Sequence, residues 1–402
     1  MRILTFTWEY PPLVYGGLGR HVGALSEALA ADGHEVTVVG PHDPEGRTDP
    51  PGSVQVLRTD PAEPAAPMGD LMGHVATLGH ALARAALRAG GQYDVVTAHD
   101  WVVGQAAATV AETLELPLVT TLHATEAGRH QGWLPGELSR AIHATEGWLA
   151  ARSARVIVCS AAMSRDVHRL FGLPHERIAV IANGIDPLEW PPGPPLAERD
   201  ASTLLFAGRL EYEKGVQVLL EALPRIRRTV PDARLLIAGT GTYEAALHEL
   251  AEARPIGSTV EFLGRVPDDE LVALFQRAAA VVIPSLYEPF GMVALEAAAC
   301  GAPLVVSDIG GLGEFAATGG ALVAPASDVT ALAAAVVRLL EHPALAQATT
   351  EAATSRLTTD HAWPVLARQS AAVLEQAMGD PRTAPFEVPA AVTDPPEGNL
   401  LA

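Results

Sequence analysis

Cysteine is nearly missing from this chain: Cys159 and Cys300 are the only two in 402 residues. Two cysteines cannot build a disulfide framework, so the expected setting is reducing and cytoplasmic. Long apolar runs are missing too. No stretch approaches the roughly 20 apolar residues of a membrane-spanning helix, and the opening Met1–Glu9 is too short for a secretory signal and reads as a first strand. Positive charge is scarce. Lys and Arg total 27 against 47 Asp and Glu, a formal net charge of −20. That argues against nucleic-acid binding, which runs on clustered cations. An anionic substrate would have to be met by cations placed locally against a repulsive overall field. No Asp-x-Asp pair occurs, and the cysteines and scattered histidines show no zinc spacing, so no metal site is expected.

What is present is apolar: 49 % of residues are hydrophobic. The length allows two domains of about 150–200 residues, each with its own core. Strand and helix signals alternate twice. Strands are expected at Arg2–Thr7, Glu35–Gly40, Val54–Arg58, Val95–His99, Leu118–His123 and Arg155–Cys159, with helical stretches such as Gly19–Ala31, Met68–Ala89 and Gly136–Ser153 between them. The second series of strands is Thr203–Gly208, Arg234–Gly239, Val260–Leu263, Val281–Pro284 and Leu304–Asp308. Helices are expected near Gly215–Arg228, Tyr243–Glu252, Asp268–Arg277, Gly291–Ala299 and Asp328–Glu341, with a last one over Trp363–Met378. Short apolar runs separated by helices predict parallel sheets with crossover connections. The proline-rich stretch within Asn183–Ser202 reads as a stiff linker between domains. The expected division is 1–187 with a returning helix 362–378, then 188–361, and a disordered tail 379–402, rich in proline and acid. No repeat of 20–50 residues is visible.

Open parallel sheets bind ligands beyond the carboxyl ends of their strands, so the residues following each strand are the candidates. After the first strand comes Gly16-Gly17-Leu18-Gly19 at a helix start, where backbone N–H groups can approach an anion. The spacing is not that of a dinucleotide loop, and the second strand ends in Gly40-Pro41 with no acid to hold a ribose. Phosphate contact and a structural turn stand level there. His99-Asp100-Trp101 and His123-Ala124-Thr125-Glu126-Ala127-Gly128-Arg129-His130 follow two further strands. They suit hydrogen bonding to sugar hydroxyls; alternatively, Asp100 and Thr125 cap helices. In the second half, Arg209 and Lys214 lie between a strand end and a helix start. They can reach a diphosphate or pair with Glu211 and Glu213.

The segment Glu288-Pro289-Phe290-Gly291-Met292-Val293-Ala294-Leu295-Glu296 is the most specific signal. Its helix is apolar on every face except at Glu296, so it is buried. A buried carboxylate needs partners, which ribose hydroxyls or a core arginine would supply. The free N–H groups near Gly291–Val293 form an anion site.

Together, the Glu288-x7-Glu296 segment, Arg209 with Lys214, the Gly16-Gly17 loop and Asn183-Gly184-Ile185-Asp186 resemble retaining glycosyltransferases of the GT-B fold, family 4, close to glycogen synthases. Residues 1–378 share the resemblance. The segments Trp8–Pro12, His99–Trp101, His123–His130 and Gly208–Gly215 are similar to actinobacterial α-1,4-glucosyltransferases that build glycogen and methylglucose lipopolysaccharide. The resemblance implies an α/β fold of two Rossmann-like domains facing each other across a cleft, with the last helix crossing back to the first domain. It implies that Arg209 and Lys214 hold the donor diphosphate, Glu296 the ribose, and Glu288 the transferred sugar. Backbone at Gly16, Gly17, Gly291, Met292 and Val293 would contact phosphate or sugar, and Arg265 and Val266 would read the base. His123 would meet the glucosyl 6-hydroxyl. Glu9, Asp100, Glu126 and Arg129 would lie on the acceptor side. The implied donor is UDP- or ADP-glucose, with no metal and no further cofactor, and the acceptor a glucan or oligosaccharide. Bacterial ADP-glucose synthases carry Lys two residues before the paired glycines, where this chain has Val14, so the nucleotide stays open. Glucose 1-phosphate or a lipid as acceptor, the latter for mannose, a nicotinamide-dependent oxidoreductase, and an inactive sugar-binding or scaffold protein are the rival readings; intact Arg209, Lys214, Glu288 and Glu296 argue against the last.

Overall fold

The computed structural model describes residues 1–49, 51–60, 62, 69–254 and 256–379. The chain forms two compact units. The first is Met1–Gly184 joined by the segment from Trp363, and the second is Ile185–Ala362.

Among the described residues, unit 1 holds a seven-stranded parallel sheet. Its strands are β1 (Arg2–Phe6), β2 (Glu35–Gly40), β3 (Gln55–Arg58), β4 (Val95–His99), β5 (Leu118–Leu122), β6 (Arg155–Val158) and β7 (Ile178–Val180). They lie in the order β3-β2-β1-β4-β5-β6-β7. Ile3 pairs with Val36 on one side and Val95 on the other. Alternate residues feed opposite faces, as the period of a strand demands. Ile3, Val36, Val38 and Val95 pack with Val22, Leu25 and Leu29 of the helix Gly17–Ala31 and with Leu366 and Leu374 of the helix Trp363–Gly379. The last helix is thus part of unit 1. Leu4, Phe6, Val96 and Ala98 face the other way, onto Leu82, Val110 and Leu149. The helix Leu71–Ala89 is capped by Asp70, whose carboxylate accepts the Gly73 N–H at 3.0 Å. The expected start of that helix at Met68, and the tail from residue 380, lie outside the described residues.

Unit 2 holds six parallel strands: β8 (Thr203–Ala207), β9 (Arg234–Ala238), β10 (Val260–Gly264), β11 (Ala280–Ile283), β12 (Leu304–Ser307) and β13 (Leu322–Ala324), in the order β10-β9-β8-β11-β12-β13. Leu204, Phe206, Leu235 and Val282 pack on the helices Val216–Thr229 and Val329–Glu341. Leu205, Val281, Ile283 and Val306 pack on Ala294, Leu295 and Ala298 of the helix Met292–Ala299. Both faces of each sheet are covered, so the strands read as continuous apolar runs.

Two differences from the sequence reading have clear causes. β7 and β13 were not expected, because three residues at a sheet edge carry no alternation to detect. The proline-rich stretch, expected as a stiff linker, holds the domain boundary but from Ile185 onward is packed as part of unit 2. Trp190 is 4 % exposed within the core beside Phe275, and the Gly193 N–H donates to the Cys300 carbonyl at 3.0 Å. The Arg199 guanidinium donates to the carbonyls of Pro194 and Cys300, each at 3.0 Å. One buried aromatic outweighs the stiffness of the prolines around it.

Candidate active site

In both units the strand order reverses at the centre, between β1 and β4 and between β8 and β11. A crevice for ligand opens beyond the carboxyl ends of the strands at such a reversal. Most of the candidate residues follow the strands there, but the two units arrange them differently.

In unit 1 the loop after β1 is braced from within. Glu9 is 3 % exposed, and its Oε2 accepts the N–H groups of Tyr15 at 2.8 Å and Gly16 at 3.0 Å. Burial raises its pKa, opposed by those N–H groups and that of Gly19. The glycine loop therefore already holds an anion, which is its own carboxylate. Gly16 caps the helix in an extended conformation, and Gly17, its first residue, is exposed.

Asp100 sits at φ 66°, a left-handed conformation that costs a non-glycine residue of order 1–3 kcal/mol. It makes no cap to the short turn that follows. Instead its Oδ1 accepts the His123 N–H at 2.8 Å, tying the end of β4 to the residue after β5. Burial pushes the Asp100 carboxyl up to about 6, opposed by that N–H and by Arg129. Thr125 does cap, its hydroxyl accepting the Gly128 N–H at 3.1 Å. His123 is partly buried, and burial lowers its ring pKa to about 4.

Glu126 accepts the Ser139 hydroxyl at 2.6 Å and lies 3.2 Å from His130 Nε2. Asp100, Glu126 and Arg129 line one cavity of about 810 Å³ together with the aromatic rings of Trp8, Tyr15 and Trp101. Trp8 and Tyr15 stack at 5.9 Å. Glu9 is not part of that lining.

In unit 2 the loops after β8 and β11 are stitched together. The Leu286 N–H donates to the Glu213 carbonyl at 2.7 Å. Lys214 Nζ meets Glu288 Oε2 at 2.7 Å, with both side chains mostly buried. Arg209 stays half exposed and only brushes Glu213 at 3.5 Å. Of the pairings that could have explained these cations as surface groups, only this weak one forms. Gly215 has φ 72°, and a Cβ there would overlap the Pro284 carbonyl oxygen. Gly310, at φ 48°, is pressed likewise against the Glu288 carbonyl, and the Gly311 N–H donates to that carbonyl at 3.2 Å.

Gly291 at φ 104° opens the helix Met292–Ala299, so the Met292 and Val293 N–H groups stand at its free end beside Glu288. Glu296, 6 % exposed, lies farther along the same helix. Arg265, exposed, and Val266, half-buried, follow β10 at the sheet edge, away from this group.

Several residues escaped the sequence reading. Glu146, 2 % exposed on the helix Gly136–Arg152, accepts the Glu126 N–H at 2.9 and 3.1 Å, and burial raises its pKa well above the usual range. One of two glutamates in a mixed helix gives no warning of that. The Gly310-Gly311 pair did carry a signal, since it follows a strand and opens a helix as Gly16-Gly17 does. Lys214, by contrast, was among the sequence candidates, and it is the only lysine in the chain; every other strongly basic side chain is arginine.

Comparisons with known proteins show the family. Residues 15–188 match the family described as Glycosyltransferase Family 4, and residues 194–356 match Glycosyl transferases group 1. The chain is 47 % identical over 393 residues to a glycogen synthase of Mycobacterium tuberculosis, covering 93 % of this chain and 94 % of that protein. It is 37 % identical over 333 residues to an uncharacterized glycosyltransferase, MJ1607, of Methanocaldococcus jannaschii, covering 78 % and 82 %. Among solved structures, the sucrose-phosphate synthase of Thermosynechococcus elongatus superposes with a TM-score of 0.80 at 23 % identity, covering 94 % of this chain and 99 % of that one. With two doubly wound units and relatives matched over nearly the whole chain, this protein belongs to the family 4 glycosyltransferases of GT-B fold and is a hexosyltransferase.

Proposed function

We propose that this enzyme transfers glucose from UDP-glucose or ADP-glucose, with retention of configuration, to the non-reducing end of an α-1,4-glucan of glycogen or methylglucose-polysaccharide type. The observation that carries the reading is the Lys214–Glu288 pair at 2.7 Å beside the free end of the helix Met292–Ala299. It combines one fixed cation, the backbone N–H groups of a helix start and a carboxylate within one crevice of an otherwise acidic chain. A nucleoside diphosphate needs the first two, and the hydroxyls of its sugar need the third. The 47 % identity to a glycogen synthase supports a glucan as acceptor. So do the rings of Trp8, Tyr15 and Trp101 in the unit 1 cavity, which suit the apolar faces of sugars.

In this reading Arg209, Lys214 and the helix end neutralise the leaving diphosphate, and the reaction requires no divalent metal. Glu296 holds the ribose, and Glu288 holds the transferred glucose. The acceptor hydroxyl attacks the anomeric carbon as the bond to the diphosphate breaks, and the departing phosphate oxygen takes the hydroxyl proton. The protein supplies position and preorganised charge. His123, fixed through its backbone by Asp100, meets the glucosyl 6-hydroxyl, while Glu126 and Arg129 meet the acceptor.

The test is nucleoside diphosphate release from each donor, with and without glycogen or malto-oligosaccharide. Acceptor-dependent release, with a product that α-1,4-specific amylase cleaves, is expected. No release from either donor would overturn the glucan reading and direct the assay to glucose 1-phosphate and to GDP-mannose with lipid acceptors.

A further inference from the structure

Three histidines far apart in the sequence meet behind the unit 1 crevice. His21 comes from the helix Gly17–Ala31, His99 ends β4, and His123 follows β5. One ring nitrogen from each lies within 4.8 Å of those from the other two. His99 Nδ1 and His123 Nε2 stand 3.0 Å apart. The His21 ring meets His123 edge-on at 4.8 Å and Trp363 at 5.4 Å. His21 and His99 are buried, and His123 is partly so. Neither nitrogen of His21 makes a hydrogen bond of normal geometry, although the Asn183 amide lies near enough to favour its proton. Among the described residues this is the one place where three such donors converge.

We propose that His21, His99 and His123 form a site for a single late first-row divalent cation of the Zn²⁺ class. Three imidazoles without a carboxylate suit Zn²⁺, Ni²⁺ or Cu²⁺ and not Mg²⁺ or Ca²⁺. Asp100, next to His99 in the sequence, is engaged by the His123 N–H. Nitrogen ligands about 2.0–2.1 Å from a tetrahedral ion stand roughly 3.3 Å apart. The His99–His123 pair is already close to that separation, and His21 offers a third nitrogen within 4.8 Å of both. The fourth position is left to water or a sugar hydroxyl, as in other sites with three histidines. The ion would be an inhibitor of transfer, not a cofactor, because it would draw His123 away from the glucose. That consequence rests on the role given above to His123; cation binding itself does not.

The experiment uses the full chain stripped with a chelator and titrated with Co²⁺, whose visible absorption reports four-coordinate geometry. Zn²⁺ is then added to displace it. One equivalent is expected to bind. His21→Phe, which keeps a ring against Trp363, is expected to weaken binding at least ~10-fold while leaving metal-free transfer and the melting temperature near those of the native chain. His99→Phe serves as a second variant should His21→Phe fold poorly. The stacked pair His168 and His175, with rings 3.9 Å apart, is the rival imidazole site, so His168→Gln is the control and should change nothing. No four-coordinate absorption, equal affinity in His21→Phe and His99→Phe, or loss of binding in His168→Gln would each overturn the site. Zn²⁺ should inhibit transfer by the native chain and spare His21→Phe. Binding without inhibition would uphold the site and overturn the role given to His123.

Discussion

The two units share a strand order and differ in how they fill the same crevice. Unit 1 places carboxyls and imidazoles there and satisfies many of them internally: Glu9 on its glycine loop, Asp100 on the His123 backbone, and Glu146 on the start of the Glu126 turn. Unit 2 places a lysine, an exposed arginine and a helix end there, and closes its loops with glycines under backbone carbonyls. The same topology thus carries a crevice lined with carboxyls and imidazoles in one unit and a crevice with cations and a helix end in the other, which the proposed function assigns to hydroxyl groups and to an anion. The fold supplies the crevice, and the residues after each strand decide its ligand.

The sharpest way to break the contrast is to remove the cations of unit 2. Lys214→Ala and Arg209→Ala should each lower turnover by about 10²–10³-fold, as loss of a preorganised charge does. Near-native turnover for both would remove the diphosphate role. Lys214→Arg should also be impaired, because the Glu288 contact is closed by a compact ammonium in tight quarters.

Next in size is the glycine packing. Gly310→Ala combines a left-handed backbone with overlap on the Glu288 carbonyl. It should destabilise unit 2 by roughly 2–4 kcal/mol, measured as a lowered denaturant midpoint. The matching change in unit 1, Gly16→Ala, has an extended backbone and nothing within 4 Å. Its effect on stability should stay within about 0.5 kcal/mol. Equal losses in the two variants would deny the difference in loop construction.

A third effect concerns pH. The Asp100 carboxyl is raised to about 6 in the fold against an ordinary 3.8, so the folded state favours its neutral form. Its contribution is fully present below pH 4 and declines as pH rises toward 6. Asp100→Asn keeps an acceptor for the His123 N–H and removes that decline. In the metal-free protein it should gain about 1–3 kcal/mol over native at pH 7, and little at pH 4. Thermal melts at the two pH values would show whether the gain is confined to the higher one.

The legibility of these features in the sequence follows their physics. The helix Met292–Ala299 could be read because it is apolar all round except at Glu296, and a helix of that kind must be buried. Arg209 and Lys214 stood out as cations at a strand end in an acidic chain. The Gly16-Gly17 loop could not be resolved, since glycine spacing does not say whether a ligand or a neighbouring carboxylate receives the N–H groups; here Glu9 takes those of Tyr15 and Gly16. Trp190 was hidden by the prolines around it. The histidine cluster was beyond reach, because only the parallel pairing of β4 with β5 and the packing of the helix Gly17–Ala31 bring its members together.

The division of labour is tested most directly by calorimetric titration of the nucleotide sugar that supports turnover into the native chain, Lys214→Ala and Arg129→Ala. The account predicts at least ~10-fold weaker donor binding in Lys214→Ala. For Arg129→Ala it predicts unchanged donor binding with reduced malto-oligosaccharide-dependent turnover. Native donor affinity in Lys214→Ala, with donor binding lost in Arg129→Ala, would contradict it.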